Sequence, residues 1–129
     1  MTIVYPVVFE KIESGYMASV PDFPLDTEGK DLADAIFMVR DAIGLMGICF
    51  EDDGKPLPTP SALDAIDLDG GDFVSLVDVD LVAYRRANDQ RTVRRNVALP
   101  SWLDVEAKKA GINVSAVLQK ALKQELQVG

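Results

Sequence analysis

The most constraining stretch of this sequence is a short alternating run, residues 92–99, that Pro100 brings to an end. Val93, Val97 and Leu99 fall on one face of an extended strand, and polar or small side chains alternate with them. The proline ends the strand because it has no amide to give to a ladder. A lone strand this short is unstable, and no nearby stretch supplies a partner. We therefore expect it to pair with its counterpart in a second copy of the chain.

Two helices are predicted to follow this strand. Ser101 and Asp104 have the spacing of a capping box, which opens the first helix. That helix is predicted to end near Ala110, where Gly111 can adopt a left-handed conformation. A second helix is predicted from about Asn113, because apolar residues recur there at helical spacing.

The net charge of −8 conceals two regions of opposite charge. Residues 1–84 contain four basic and 17 acidic residues, a net charge of −13, whereas residues 85–129 contain nine basic and four acidic residues, a net charge of +5. This asymmetry indicates an acidic module and a basic module, each with its own partner, joined by a polar linker at residues 85–91. The alternative is that the acidity only keeps the first module soluble.

The first module is predicted to be α+β, with a small three- to four-stranded sheet and one main helix. The strands are predicted at residues 2–10, 16–20, 25–27 and 73–79, the main helix at 32–50 after caps at Asp31 and Asp34, and a short helix at 81–86 after a cap at Asp80. Residues 61–64 could form one more helical turn, capped by Ser61 and Asp64.

The main helix is apolar on more than one side, which indicates that more than one side is covered. Its second apolar face could pack on the rest of the domain or on another subunit, and the sequence leaves both open. The single cysteine, Cys49, lies in this apolar stretch and cannot form an internal disulfide. It is predicted to be a buried thiol in a reducing cytoplasm. No apolar run reaches membrane-spanning length.

The order strand, proline, capped helix, glycine and helix over residues 92–126 resembles the ribbon-helix-helix domain, the fold of the Arc and MetJ repressors. The resemblance implies that the tail dimerises and lays a two-stranded ribbon in the major groove of DNA. It implies base-reading positions at Arg94, Asn96 and Ala98, and phosphate contacts at Asn113, Val114, Ser115, Lys108 and Lys109. Arg95 departs from the pattern, because it lies on the inward face of the ribbon. The alternative is a dimerisation domain that binds no DNA.

The first module also resembles a known family, through five short motifs in order. They are Tyr5-Pro6, Gly15-Tyr16, Pro21-Asp22-Phe23-Pro24, Thr27-x-Gly29 and Pro58-x-Pro60-Ser61. The series is similar to the HicB antitoxin family, whose first domain is a truncated ribonuclease-H-like fold, often followed by a ribbon-helix-helix domain. The chain departs from the family at Leu25-Asp26, where a Gly-Cys pair is common.

This resemblance implies an antitoxin that binds a small basic ribonuclease toxin of the HicA type, which cuts messenger RNA, and that represses its own operon. Asp22, Phe23 and Glu28 are candidate toxin contacts on the turn side of the hairpin. The expected partners are the toxin, operator DNA and a second copy of the chain. The sequence leaves open whether dimers pair further into tetramers.

Several catalytic chemistries have no support in the sequence. Histidine is absent, and we find neither a glycine-rich phosphate loop nor a cysteine and histidine cluster. The acidic residues fall mostly in predicted turns and caps, so we predict no enzyme, no metal and no cofactor. Two rival functions remain, a stand-alone repressor whose first domain senses a small ligand and a degenerate nuclease.

Overall fold

The computed structural model describes residues 1–89 and 91–128, and it divides into two compact units, Met1–Arg91 and Thr92–Gly129. The first unit contains strands β1 (Thr2–Ile12), β2 (Gly15–Val20), β3 (Leu25–Gly29) and β4 (Phe73–Asp80). They form one antiparallel sheet in the order β3-β2-β1-β4. The predicted α+β architecture is confirmed, and each strand extends the predicted range at one or both ends.

The core of the first unit lies between this sheet and a long helix, α1 (Leu32–Asp52). Alternate residues of β1 face the helix, because successive side chains of a strand point to opposite sides. On the helix side of β1, the side chains of Ile3, Tyr5, Val7 and Phe9 are buried. From α1, Ala35, Val39 and Ile43 are buried against them at helical spacing.

Helix α1 begins with the predicted caps. The carboxylate of Asp31 accepts a hydrogen bond from the Asp34 amide at 2.8 Å, and the carboxylate of Asp34 accepts one from the Lys30 amide at 2.9 Å. The Asp31 side chain therefore satisfies an amide that the first turn of the helix leaves without a partner, and the Asp34 side chain reaches back to the residue before the cap. The helix continues two residues beyond its predicted end at Phe50.

A second helix, α2 (Leu81–Asn88), covers part of the second face of α1. The Asp80 carboxylate caps it as predicted, by accepting hydrogen bonds from the amides of Val82 and Ala83 at 3.0 and 3.2 Å. The two helices approach closely because α1 has glycine at the contact. A β-carbon on Gly44 would lie 2.4 Å from the ring of Tyr84.

The stretch predicted to be a linker, residues 85–91, begins inside α2, which ends at Asn88. Asp89 forms an ion pair with Arg85 at 3.4 Å, and Arg91 pairs with Asp89 at 2.8 Å. Gln90 lies outside the described residues. The charged residues of this stretch therefore belong to the packing of the first unit.

The segment between α1 and β4 contains one short turn of 3-10 helix, Leu63–Ala65. Its predicted capping by Ser61 and Asp64 is wrong, because the turn begins after Ala62 without a side-chain cap. Ser61 instead contacts Asp22, which lies 39 residues away in the chain.

The second unit contains helices α3 (Ser101–Lys109) and α4 (Val114–Leu126), joined through Gly111 at φ 67°. The predicted capping box at Ser101 is wrong. The helix begins at Ser101 itself, and the carbonyl of Pro100 accepts hydrogen bonds from the amides of Leu103 and Asp104. The remaining boundaries agree with the prediction.

Residues 92–100 form neither a helix nor a paired strand in the single chain. A β-strand is defined by its hydrogen-bonded ladder, and this stretch has no ladder partner within the part of the chain that is described. The predicted pairing of residues 92–99 with a second copy stays a prediction.

Candidate partner surface and nucleic-acid interface

Asp22, one of the three predicted toxin contacts, holds a distant segment of its own chain. Its carboxylate accepts hydrogen bonds from the Ser61 amide at 3.0 Å and from the Ser61 hydroxyl at 2.5 Å. Three residues before Ser61, the carbonyl of Pro58 accepts a hydrogen bond from the Tyr5 hydroxyl at 2.6 Å. These bonds hold the proline-rich stretch against β1 and the turn after β2, so Asp22 stabilises the fold of the first unit.

Phe23, the second predicted toxin contact, is instead a core residue. Only 3% of it is exposed, and its ring lies edge-on to Tyr5 at 4.8 Å and to Phe50 at 5.6 Å between ring centroids. Its side chain is therefore not available to a partner at the surface. The sequence placed it in a turn, and its burial follows from aromatic residues far from it in the chain.

Glu28, the third predicted toxin contact, is exposed on β3 at an edge of the sheet. It lines a shallow depression together with Ser14, Lys30 and Asp34. Of the three predicted residues, it alone presents an exposed carboxylate next to the beginning of α1.

The side of α1 that faces neither the sheet nor α2 is unexpectedly apolar. Phe37, Met38 and Leu45 are 67%, 41% and 52% exposed, and Cys49 is exposed one turn further on. The prediction that Cys49 is buried is wrong, because α2 covers α1 on the side of Gly44 and Gly47 only. The sequence showed that this face exists and left open what covers it.

Carboxylates border this apolar face. Asp41 accepts a hydrogen bond from the Tyr84 hydroxyl at 3.1 Å, and Asp34 caps the helix. Burial of the Tyr84 ring, followed by its hydrogen bond to Asp41, raises the pKa of Tyr84 to about 12. The tyrosine hydroxyl therefore stays protonated and donates to Asp41.

The far end of α1 is bordered by an ion-pair network that joins it to α2. Arg85 contacts Glu51 at 3.2 Å and Asp52 at 3.1 Å, and Arg91 contacts Asp52 at 3.7 Å. Hydrogen bonds from Arg91 hold the pKa of the Asp89 carboxyl well below its usual range. At this end of the helix, acidic and basic groups compensate one another within the unit.

The predicted base-reading residues lie in the second unit, within the unpaired residues 92–100. Arg94, Asn96 and Ala98 are all exposed. Each lies two residues from the next, so a strand in this stretch would carry all three on one face.

The predicted phosphate contacts are grouped at the facing ends of α3 and α4. The Asn113 side chain caps α4 by accepting a hydrogen bond from the Ala116 amide at 3.1 Å, and the amides of Val114 and Ser115 lie in the first turn, where a helix supplies no acceptors. Lys108 and Lys109 are more than two-thirds exposed, and they approach Asp104 and Glu106 at 3.2 and 3.8 Å. Exposed pairs of this kind are weak, so both lysines remain able to contact phosphate.

The second unit buries none of its residues 92–128 in the single chain. Its exposed apolar side chains include Val97, Leu99, Trp102, Val117, Leu122 and Leu126. Two helices without a buried residue lack the apolar burial on which a stable domain depends. The unit therefore presents a large uncovered apolar surface.

Residues 1–89 and 91–128 give no support to two other classes of site. No group of three or more histidine, cysteine, aspartate or glutamate side chains is arranged to hold a metal ion there. None of the described helices is both long enough and apolar enough to cross a membrane.

No family model matches this sequence. A curated relative is an uncharacterized 14.9 kDa protein of Haemophilus phage HP1, which is 34% identical over 83 residues. That alignment covers 61% of this chain and 62% of the phage protein. The relative has no described activity, so it adds no function.

Solved structures give a much longer match. A chain of a toxin–antitoxin complex from Streptococcus pneumoniae superimposes with a TM-score of 0.63 at 23% identity, covering 97% of this chain and 99% of that one. The antitoxin HicB of Burkholderia pseudomallei superimposes with a TM-score of 0.55 at 25% identity, covering 96% and 98%. The antitoxin HicB3 gives 0.52 at 20% identity, covering 95% and 97%. The structural neighbours of this chain are thus HicB antitoxins and toxin–antitoxin complexes, and its fold is the HicB fold expected from the sequence motifs.

Proposed function

We propose that this chain is the antitoxin of a type II toxin–antitoxin pair. Its first unit binds and neutralises a small basic ribonuclease of the HicA type, and its second unit dimerises and represses the operon that encodes the pair. The observation that carries the proposal is the near full-length match to an antitoxin HicB. We propose that the chain acts in the cytoplasm, where such a toxin meets messenger RNA.

The charge of the first unit supports the toxin-binding role. Residues 1–84 have a net charge of −13, and a toxin that binds RNA needs a cationic surface. Opposite charges speed the encounter of two proteins and disfavour wrong partners. An acidic inhibitor that occupies such a surface also excludes the phosphate backbone of RNA from it.

The uncovered apolar surface of the second unit supports the dimer. Pairing residues 92–99 of two copies would supply the missing ladder, and it would let the exposed apolar side chains of α3 and α4 bury one another. This is the arrangement expected for a ribbon-helix-helix domain. We propose a homodimer, with a dimer of dimers as its larger form.

In this dimer, residues 94, 96 and 98 would share the outer face of the ribbon. Arg94 can make a two-pronged contact with guanine and Asn96 with adenine, whereas Ala98 offers a methyl group to thymine. The first turn of α4 would receive a phosphate on the amides of Val114 and Ser115.

Co-purification tests the proposed function most directly. The chain would be tagged and expressed together with the small open reading frame beside its gene. We expect a stable complex with a basic protein, and we expect the chain to shift the DNA of its own promoter. If nothing co-purifies while the chain still shifts that DNA, the antitoxin role is wrong, and a stand-alone repressor explains the result.

A further inference from the structure

The outer face of α1, defined by Phe37, Met38 and Leu45, is an exposed apolar feature of the first unit that folding leaves unexplained. These side chains are 67%, 41% and 52% exposed, although the solvent side of an amphipathic helix is normally polar. Met38 and Leu45 lie two turns apart on one side of the helix, and Ala42 lies between them. Met38, Ala42 and Leu45 form an apolar stripe, and Asp41 lies one turn from both Phe37 and Leu45. An exposed apolar stripe of this kind marks an interaction site on a folded domain.

The same face is negatively charged. Asp34 and Asp41 border the stripe, and neither forms an ion pair within residues 1–89 and 91–128. Nearby arginines are engaged elsewhere, since Arg40 pairs with Asp78 at 3.3 Å and Arg85 pairs with Glu51. A partner for this face therefore has to offer both apolar contact and positive charge.

A second copy of α1 does not meet these requirements. An antiparallel pair related by a two-fold axis would bring Asp41, close to the middle of the 21-residue helix, against Asp41 of its counterpart. Two carboxylates pressed together in an apolar contact repel each other and lose their hydration. A cationic partner would neutralise them.

We propose that the outer face of α1 is the docking surface for the basic partner protein, with Leu45 and Met38 at the centre of the contact and cations of the partner on Asp34 and Asp41. This inference rests on the proposed function, and it names the surface that performs it. Glu28 extends the acidic border, because it lines the same shallow depression as Asp34.

The chain contains a matched control for this surface. Leu76 on β4 is 56% exposed, close to the 52% of Leu45, but it lies on the sheet. The carboxylate nearest to it in sequence, Asp78, is already paired with Arg40. Leu45→Lys and Leu76→Lys therefore make the same chemical change at two equally accessible positions.

The experiment measures the affinity of each variant of the full chain for the small basic protein encoded beside it, by isothermal titration calorimetry. We expect Leu45→Lys to weaken binding about tenfold or more, and Leu76→Lys to stay within about twofold of the wild type. Leu45→Glu removes the same apolar contact but adds a charge that suits a cationic partner. It should weaken binding less than Leu45→Lys, most clearly at low salt.

Each other outcome overturns the proposal. If the wild type binds and Leu45→Lys binds equally well, the surface assignment is wrong while the antitoxin role stands. If Leu45→Lys lowers the mass of the free chain in light scattering without changing partner affinity, the face joins two copies. If the wild type binds no basic protein, the proposed function fails, and the assignment of this surface fails with it.

Discussion

The carboxylate of Asp22 shows how far apart in sequence two partners in this fold can lie. It accepts hydrogen bonds from both the amide and the hydroxyl of Ser61, and the next residue, Phe23, packs against Tyr5 and Phe50 in the core. Neither contact can be deduced from the Pro-Asp-Phe-Pro motif alone, where an aspartate suggests a turn. A charge reversal at Asp22 would therefore disturb the fold as well as any partner contact, which makes Glu28 the better position for testing toxin binding.

We expect Asp22→Ala to lower the free energy of unfolding by about 1–3 kcal/mol, because it leaves the partly buried amide and hydroxyl of Ser61 without their acceptor. Urea unfolding measures the change, and hydrogen exchange should show faster exchange at the Ser61 amide. Asp26→Ala serves as the control, since Asp26 is exposed on the edge strand β3. Equal stability of the two variants would contradict the assigned role of Asp22.

Gly44 gives a second prediction at the same scale. Alanine normally stabilises a helix relative to glycine by about 1 kcal/mol. Here a β-carbon would lie 2.4 Å from the Tyr84 ring, so we expect Gly44→Ala to destabilise the first unit by about 1–3 kcal/mol. Gly70→Ala is the control, because nothing lies within 4 Å of its β-carbon position. A Gly44→Ala variant as stable as the wild type in urea would mean that α2 can move away at no cost.

At the scale of elements, the predictions succeeded where the signal was local. Runs rich in β-branched residues located β1 and β4, side-chain caps at Asp31 and Asp80 located two helix beginnings, and apolar residues at helical spacing located the beginning of α4. The prediction failed at Ser101, because the helix there begins one residue earlier and uses the Pro100 carbonyl without a side-chain cap.

Elements whose environment depends on distant parts of the chain could not be predicted. The exposure of Cys49 depends on where α2 crosses α1, and the burial of Phe23 depends on Tyr5 and Phe50. Likewise, the candidate surface on α1 was visible in the sequence only as excess hydrophobicity. The two glycines of α1, Gly44 and Gly47, determine which part of this surface α2 covers, because they lie at the contact between the two helices.

Substitutions of Asn113, the residue that caps α4, can separate its effect on helix stability from its proposed effect on DNA binding. Asn113→Ala should cost about 1 kcal/mol of helix stability, whereas Asn113→Asp keeps an acceptor for the Ala116 amide. The aspartate would place a negative charge where a phosphate is proposed to bind. We therefore expect Asn113→Asp to retain its helical circular dichroism and to lose operator affinity at fixed salt. Unchanged affinity would mean that this helix terminus does not face the DNA backbone.

At the scale of the whole molecule, the two units differ in how they are stabilised. The first has a core between a sheet and a helix, whereas residues 92–128 bury nothing in the single chain. The sequence anticipated this contrast through the unpaired strand at residues 92–99. It also anticipated the HicB fold, because the order of the motifs carries more information than any motif alone.

Removal of residues 92–129 tests which unit holds copies of the chain together. We expect the full chain to be at least dimeric in light scattering and residues 1–91 to be monomeric and folded, because the first unit has its own core. A shortened chain with an unchanged number of copies would show that the first unit assembles by itself, and it would contradict the proposed dimer through the second unit.

Both outer strands of the sheet are guarded against the addition of a further strand. The strand β3 is only five residues long and carries Asp26 and Glu28, and on β4 the Arg40 side chain donates to the carbonyl of Asp78 at 3.0 Å. A strand that added to β4 would have to displace Arg40, and a strand that added to β3 would have to bury the carboxylates of Asp26 and Glu28. The sheet is thereby protected from edge-to-edge aggregation. Under the proposed function, a toxin would therefore be recognised through side chains and not through a shared β-ladder.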